Sequence, residues 1–208
     1  MDELEITYRY FRLPHQFSHF LLEPRRCGIC GVIRGVYDMS LSGESDATDG
    51  IQYVCDACLS GGKLVEWEAW ANSVNLKLLQ NDLTALYPNL SADEIETLAR
   101  ERTIEVEQRT PAPMTWQDFF WPAHCGDYCR YEREVGKPDL LALAGDRDVL
   151  GFIAESLYDR DHTDAYARTI WENVRPDSPK SITPAYDIGV YLFQCLTCDQ
   201  YIILWDAI

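Results

Sequence analysis

The segment CGICGVIRGVY at positions 27–37, followed by IQYVCDAC at 51–58, decides the fold of the first part of the chain. Each piece contains a Cys-x-x-Cys pair, and two thiolates at this spacing can point at one metal ion about 2.3 Å away. Gly31 comes directly after the first pair, where a knuckle turn often requires positive φ. The β-branched and aromatic residues at 32–37 and 51–54 predict two strands, which are joined by a polar, glycine-containing loop.

The order of these features is a knuckle, a hairpin and a second cysteine pair close to a helix, which is typical of a treble-clef zinc finger. Cys27, Cys30, Cys55 and Cys58 are therefore predicted to bind one structural zinc ion. A helix N-terminus near the second pair favours the thiolate form, because the helix dipole is positive at that end. Four buried free thiols are the alternative interpretation, and the paired spacing disfavours it.

The other four cysteines form two further pairs, Cys125/Cys129 and Cys195/Cys198. The last pair lies in a turn between two apolar segments that predict strands, so we interpret it as another knuckle. The number of thiols and their pairing predict a second structural zinc site, which would close a long loop. His124 is an alternative to one of these thiolates, although we expect it to be a hydrogen-bonded, partly buried side chain.

The sequence carries little that indicates catalysis. Two zinc sites with four cysteines each would use all eight cysteines, and a catalytic zinc ion needs an open coordination position. The chain contains no G-x-S-x-G, H-E-x-x-H, P-loop or G-x-G-x-x-G motif. We therefore expect a protein that is not an enzyme, with a hydrolase as a minor alternative.

The composition is strongly acidic, with 18 Lys and Arg against 34 Asp and Glu and a net charge of −16. A chain with this charge is unsuited to binding the phosphate backbone of nucleic acids, and anionic membranes repel it. The acidic N-terminus does not resemble a signal peptide, and no apolar segment is long enough to span a bilayer. We expect a cytoplasmic protein, in which close cysteine pairs indicate metal binding rather than disulfides.

The expected fold class is α+β, with small β-hairpin zinc knuckles of treble-clef type packed against several helices. Residues 1–62 are interpreted as the N-terminal zinc-knuckle and hairpin region. Residues 63–208 form a helical region that a C-terminal zinc-knuckle hairpin closes, and the two regions are expected to make one compact unit. Apolar spacing and capping signals predict helices at 63–86, from Ser91 to about 108, from Pro138, within 149–158 and at 164–174.

The chain resembles the CbrC family, bacterial proteins associated with colicin tolerance. The matching motifs run in order through most of the sequence. They are Cys27-x-x-Cys30, Arg34-Gly35-x-Tyr37, Cys55-x-x-Cys58, Arg109-Thr110-Pro111, Trp116-Gln117, Trp121-x-x-His124-Cys125-Gly126-Asp127 and Tyr191-Leu192-Phe193-Gln194-Cys195-x-x-Cys198. The chain departs from the family at residues 55–62, where Cys-Asp-Ala-Cys-Leu-Ser-Gly-Gly replaces Cys-Pro-Trp-Cys followed by Ile-Ala-Asp-Gly. The resemblance implies tolerance to a bacteriocin-type toxin and does not imply a particular reaction.

Charge and resemblance together predict an immunity or tolerance protein that neutralises a basic, nuclease-like bacterial toxin by direct binding. An acidic antagonist can associate rapidly with such a toxin through electrostatic steering. Two groups of acidic residues are candidate contacts, although ordinary solvated loop charge is the simpler explanation of either group alone. They are Glu44, Asp46 and Asp49, and Asp159, Asp161 and Asp164. A zinc-finger adaptor or stress-response regulatory protein without a toxin partner is the alternative function.

Overall fold

The computed structural model describes residues 6–41, 51–159, 161, 163–181 and 186–207. Helices and short, mostly antiparallel sheets are mixed along these parts of the chain, so the predicted α+β fold class is confirmed. The helices are α1 (Pro14–Phe17), α2 (Asp56–Ser60), α3 (Leu76–Leu86), α4 (Ala92–Arg109), α5 (Lys137–Ala144), α6 (Val149–Ser156) and α7 (Thr163–Asn173). The strands are β1 (Phe20–Arg26), β2 (Ile33–Asp38), β3 (Tyr53–Val54), β4 (Ser73–Val74), β5 (Phe120–Trp121), β6 (Ala123–His124), β7 (Asp127–Tyr128), β8 (Arg130–Glu134), β9 (Ile188–Gln194) and β10 (Tyr201–Ala207).

The first sheet contains β1, β2 and β3 in that order, with both pairs antiparallel. The two strands predicted around the knuckle are confirmed as β2 and β3, with β3 shorter than expected. Tyr37 and Asp38 at the end of β2 pair with Val54 and Tyr53 of β3. This pairing carries the chain from the first cysteine pair to the second, because α2 begins two residues after Val54.

The single helix predicted over 63–86 is wrong. The chain instead forms a short 3₁₀ helix at Lys63–Trp67, then β4, and only then α3. Glu68 ends the 3₁₀ helix in the left-handed conformation, with φ of 50°. The next segment, β4, pairs in parallel with β5, which lies far along the chain. This long-range pairing outweighs the helical spacing of the local apolar residues. Asn75 then starts α3 by accepting a hydrogen bond from the backbone N–H of Leu78.

Helix α4 begins directly after Ser91, at the capping signal found in the sequence. The Ser91 hydroxyl accepts from the backbone N–H of Glu94, and the Glu94 carboxylate accepts from the backbone N–H of Ser91. This reciprocal arrangement satisfies two backbone donors at the start of the helix. Pro111 follows directly after the helix and its C-cap, so the predicted boundaries of α4 are confirmed within about two residues.

The second sheet has the order β10-β9-β8, and β9 lies at its centre. Six of the seven residues of β9 are buried, because both faces of the strand are covered. Tyr191 and Phe193 pack into one hydrophobic cluster, while Val190 and Leu192 pack into another. The alternation follows from the two-residue period of a strand. Strand β9 therefore separates a helical core, formed with α5, α6 and α7, from a larger core that contains the cysteine-rich segments.

The larger core combines residues from both ends of the chain. Tyr10 and Val36 belong to the same cluster as Leu83, Trp121 and Phe193.

The predicted boundary between residues 62 and 63 stays a prediction. Among the described residues, the helices are too short or too polar to cross a lipid bilayer.

Candidate metal centres

Four cysteine sulfurs meet beside the first sheet, as the sequence predicts. Cys27 and Cys30 lie in the turn between β1 and β2, Cys55 is the N-cap of α2, and Cys58 lies in its first turn. The four sulfur atoms all lie within 4.8 Å of one another, and the Sγ atoms of Cys30 and Cys55 are 3.8 Å apart. In a tetrahedral site with metal–sulfur bonds of about 2.3 Å, neighbouring sulfurs are about 3.8 Å apart. The four donors are therefore spaced to hold one tetrahedral metal ion.

The backbone of the first knuckle prepares its sulfurs for a metal ion. Gly31 has φ of +72° and donates its N–H to the Cys27 carbonyl at 2.9 Å, which closes the turn. Burial raises the pKa of the Cys27 thiol, but backbone N–H donation from Cys30, Cys55 and Ile29 outweighs it and lowers the pKa to about 7. The N–H of Cys55 is 3.5 Å from the Cys27 sulfur. These donors stabilise the thiolate, which is the form that binds metal.

A second donor group joins the hairpin of β6 and β7 to the turn between β9 and β10. It contains the Sγ atoms of Cys125, Cys195 and Cys198 and a ring nitrogen of His124, all within 4.8 Å of one another. His124 Nδ1 is 3.3 Å from the Cys125 sulfur and 3.5 Å from the Cys198 sulfur. A tetrahedral site with one nitrogen and three sulfur ligands requires about 3.6 Å between nitrogen and sulfur. This group also has the spacing of a tetrahedral metal site.

In this group His124, the alternative ligand from the sequence, is present and Cys129 is not, so Cys129 as a ligand of the second centre stays a prediction. Cys125 and Gly126 have φ of +54° and +73° and form the two-residue turn between the paired residues His124 and Asp127. Positive φ at both central residues is the pattern of a type I′ hairpin. The tight hairpin places His124 and Cys125 together at its end.

Cys129 lies beyond this hairpin and is fully buried. Its carbonyl accepts a hydrogen bond from Trp121 Nε1 at 2.7 Å, and its N–H donates to the Pro122 carbonyl at 2.9 Å. Burial raises the pKa of the Cys129 thiol above its usual range, with nearby cysteines adding to the effect. Cys129 is thus a core residue close to the second donor group without being one of its four members.

A buried carboxylate holds the metal-binding hairpin in place. Asp127 accepts hydrogen bonds from the Tyr10 hydroxyl at 2.7 Å and from the Arg9 guanidinium at 2.5 Å. Arg102 of α4 lies 3.7 Å from the same carboxylate and donates to the Gly126 carbonyl. The N-terminal arm and α4 thus both anchor the hairpin, which fixes the position of His124 and Cys125 relative to the other ligands.

A second carboxylate, Asp56, fastens the N-terminal arm to the first centre. It accepts hydrogen bonds from the hydroxyls of Tyr8 and Tyr37 at 2.8 and 2.6 Å, and His15 Nε2 lies 2.9 Å away. Burial raises the pKa of Asp56, but hydrogen bonds from His15, Tyr37 and Tyr8 outweigh it and hold the pKa below its usual value. Each donor group therefore has a supporting carboxylate close by in the sequence. Asp56 is adjacent to Cys55, and Asp127 is two residues from Cys125.

The acidic residues predicted to contact a partner are only partly described. Glu44, Asp46 and Asp49 lie outside the described residues. Asp159, Asp161 and Asp164 are exposed. The backbone N–H of Asp161 donates to the Asp159 carboxylate at 2.9 Å, and Asp164 lies in the first turn of α7. Local turn and helix stabilisation explain these positions, and their role as partner contacts stays a prediction.

Comparisons with known proteins place the chain in a family. Residues 6–207 match the model of the uncharacterised protein family UPF0167. The UPF0167 protein PA1536 of Pseudomonas aeruginosa is 25% identical over 195 residues, which cover 93% of this chain and 92% of that protein. No solved structure matches the chain. Because the family model covers nearly the whole chain, the protein belongs to the uncharacterised protein family UPF0167.

Proposed function

We propose that both donor groups bind zinc and that both zinc ions are structural. Thiolate and imidazole ligands in tetrahedral groups suit zinc, and four protein ligands leave no open position for a substrate or a reactive water. The first ion ties the β1–β2 turn to α2. The second ties His124 to Cys195, which lie 71 positions apart. The observation that supports this role is the closed set of four donors at each centre.

We further propose that this zinc-stabilised scaffold is an acidic cytoplasmic binding protein, an immunity or tolerance protein that neutralises a basic bacterial toxin. The net charge of −16 supports a basic partner, and it counts every cysteine as neutral. Zinc loading with seven thiolates adds about three further negative charges. The resemblance to the CbrC family supports a bacteriocin-type toxin as that partner.

Two exposed acidic surfaces of the described residues are suited to such an interface. The first is the group Asp159, Asp161 and Asp164. The second is the start of α4, where Asp93, Glu94 and Glu101 line an open groove together with Thr97 and Leu98. Exposed aromatic side chains, Trp116 and Phe120, can supply the apolar anchors that tight interfaces use. Charged rims around such anchors accelerate association.

The proposal predicts a stoichiometric complex with a basic toxin domain encoded near the gene, with a dissociation constant in the nanomolar range. Stopped-flow measurements between about 50 and 300 mM salt are expected to show an association rate that falls steeply, while dissociation changes less. Cells that produce the protein survive the toxin. If cells survive without any detectable complex, direct binding is wrong and the adaptor or regulatory function becomes the better explanation.

Matched charge variants locate the contact surface. Replacement of Asp159, Asp161 and Asp164 by asparagine is expected to slow association about tenfold if this group meets the toxin. The control removes the same number of charges at exposed positions that belong to neither proposed surface, through Glu66→Gln, Glu68→Gln and Asp146→Asn. Equal slowing by both triple variants would mean that only the overall field acts, and it would remove the 159–164 group as a contact.

A further inference from the structure

A cavity of about 250 Å³ lies between the N-terminal arm and the second sheet. Its polar lining comes from Thr7, Arg12, His15 and Gln16 of the arm and from Arg130 at the start of β8. The rest of the lining is apolar and includes Phe11 and Leu13. The volume is close to the lower end of small-molecule sites, which begin at about 300 Å³. The lining combines polar and apolar side chains in similar numbers, and ligand sites commonly pair apolar surface with a few polar groups.

The charge of this cavity is opposite to that of the chain. Among the described residues that line it, Arg12, Arg130 and the ionisable His15 are present, and none is Asp or Glu. The whole chain carries 34 acidic and 18 basic residues. A region with this lining in so acidic a protein is a local environment that favours a negative group.

One buried carboxylate holds both arginines in position. Glu132 is only 5% exposed, and its two oxygens accept from Arg12 Nη1 at 2.7 Å and from Arg130 Nε at 2.6 Å. Arg130 also donates to the Gln194 side chain at 2.9 Å. Two guanidinium groups share one carboxylate, so one positive charge remains, and His15 with its partner Asp56 adds none when the ring is protonated. Each guanidinium carries five N–H donors, and these contacts use only a minority of them.

This arrangement is suited to an anion because the arginines are ordered before any ligand binds. The Arg12 side chain is 62% exposed although its Nη1 is paired, so the rest of the guanidinium is accessible. Fixed guanidinium groups bind carboxylate or phosphate with a smaller loss of side-chain entropy than mobile lysines. His15 is likewise held, since its ring stacks on Phe20 at 3.8 Å between centroids and contacts Asp56.

We propose that this cavity binds a small organic anion, whose carboxylate or phosphate group contacts Arg12 and Arg130 and whose apolar body packs on the apolar wall. Such a ligand bridges the N-terminal arm and β8. The arm is also fastened to the first metal centre through Asp56, so bound ligand stabilises the contact between the two cysteine-rich halves of the molecule. This proposal does not depend on the toxin-binding function.

The test uses the full-length, metal-loaded protein and three probes: benzoate, phenyl phosphate and the neutral benzamide. Isothermal titration calorimetry is expected to detect benzoate and phenyl phosphate, with Arg12→Gln weakening binding about tenfold or more. The matched control is Arg9→Gln. Arg9 is also exposed and pairs with a buried carboxylate, but it does not line the cavity. Its replacement is expected to leave binding unchanged.

If Arg12→Gln unfolds the protein, Thr7→Trp provides the second variant. It fills the cavity, keeps both arginines, and is expected to abolish probe binding without lowering the metal content. The inference is overturned if neither anion binds, if benzamide binds as well as benzoate, or if Arg9→Gln weakens binding as much as the cavity variant does.

Discussion

Replacement of Cys55 by serine is expected to release the zinc ion of the first centre and to unfold the N-terminal part of the protein. Cys55 is buried and its sulfur is one of the four donors, so serine removes a metal ligand while the backbone N–H that contacts the Cys27 sulfur remains. Structural zinc contributes roughly 10–16 kcal/mol of apparent binding free energy in small domains. This is comparable to the total free energy of unfolding of most proteins, about 5–15 kcal/mol.

Cys129→Ser is the matched control, because it makes the same chemical change at a cysteine that is at least as deeply buried but belongs to neither donor group. Zinc content and urea denaturation are measured for both variants. Cys129→Ser is expected to keep two zinc ions and to lose about 1–3 kcal/mol from burial of a hydroxyl. A Cys55→Ser protein that keeps both ions and the wild-type midpoint would contradict a structural role for the first centre.

His124→Ala is expected to lower the zinc content from two ions to one. Its ring nitrogen is the only non-sulfur donor in the two groups, and without it the second centre retains three ligands. The β6–β7 hairpin then loses its link to the 195–198 turn, so the protein is expected to become sensitive to proteolysis in this region. His124→Cys restores a fourth donor and is expected to recover the second ion at least in part.

Cys129→Ala serves as the opposite control for the second centre and is expected to retain both ions. The ligand set with His124 and the set with Cys129 therefore predict opposite zinc contents for His124→Ala and Cys129→Ala. If Cys129→Ala loses an ion and His124→Ala keeps two, the four-cysteine set predicted from the sequence is correct and the grouping of His124 is not.

The first centre could be predicted from the sequence because its determinants are local. Two Cys-x-x-Cys pairs flank a hairpin whose strands have clear β character, and Gly31 supplies the positive φ of the knuckle. At the second centre the structure groups His124 with three cysteines, whereas the sequence predicts Cys129 and leaves His124 as an alternative. The missed signal is the Cys125-Gly126 dipeptide, which favours a two-residue hairpin turn and brings the preceding His124 next to Cys125.

Long-range contacts account for the other differences. Apolar spacing over 63–86 fits a helix, but β4 forms because β5, far along the chain, pairs with it. The signal at Asn75 for a new helix start was overlooked. The cavity that we propose as an anion site depends on Arg12 and Glu132, which are 120 positions apart, and no local pattern links them. Such sites require the tertiary structure.

The most direct test of the two metal centres is zinc K-edge X-ray absorption on the purified wild-type protein, combined with elemental analysis. We expect two zinc ions per chain whose combined ligands are seven sulfurs and one nitrogen, as the two donor groups provide. A shell of sulfur alone would contradict the role of His124. One zinc ion per chain, or none, would contradict the proposal that both groups are structural zinc sites.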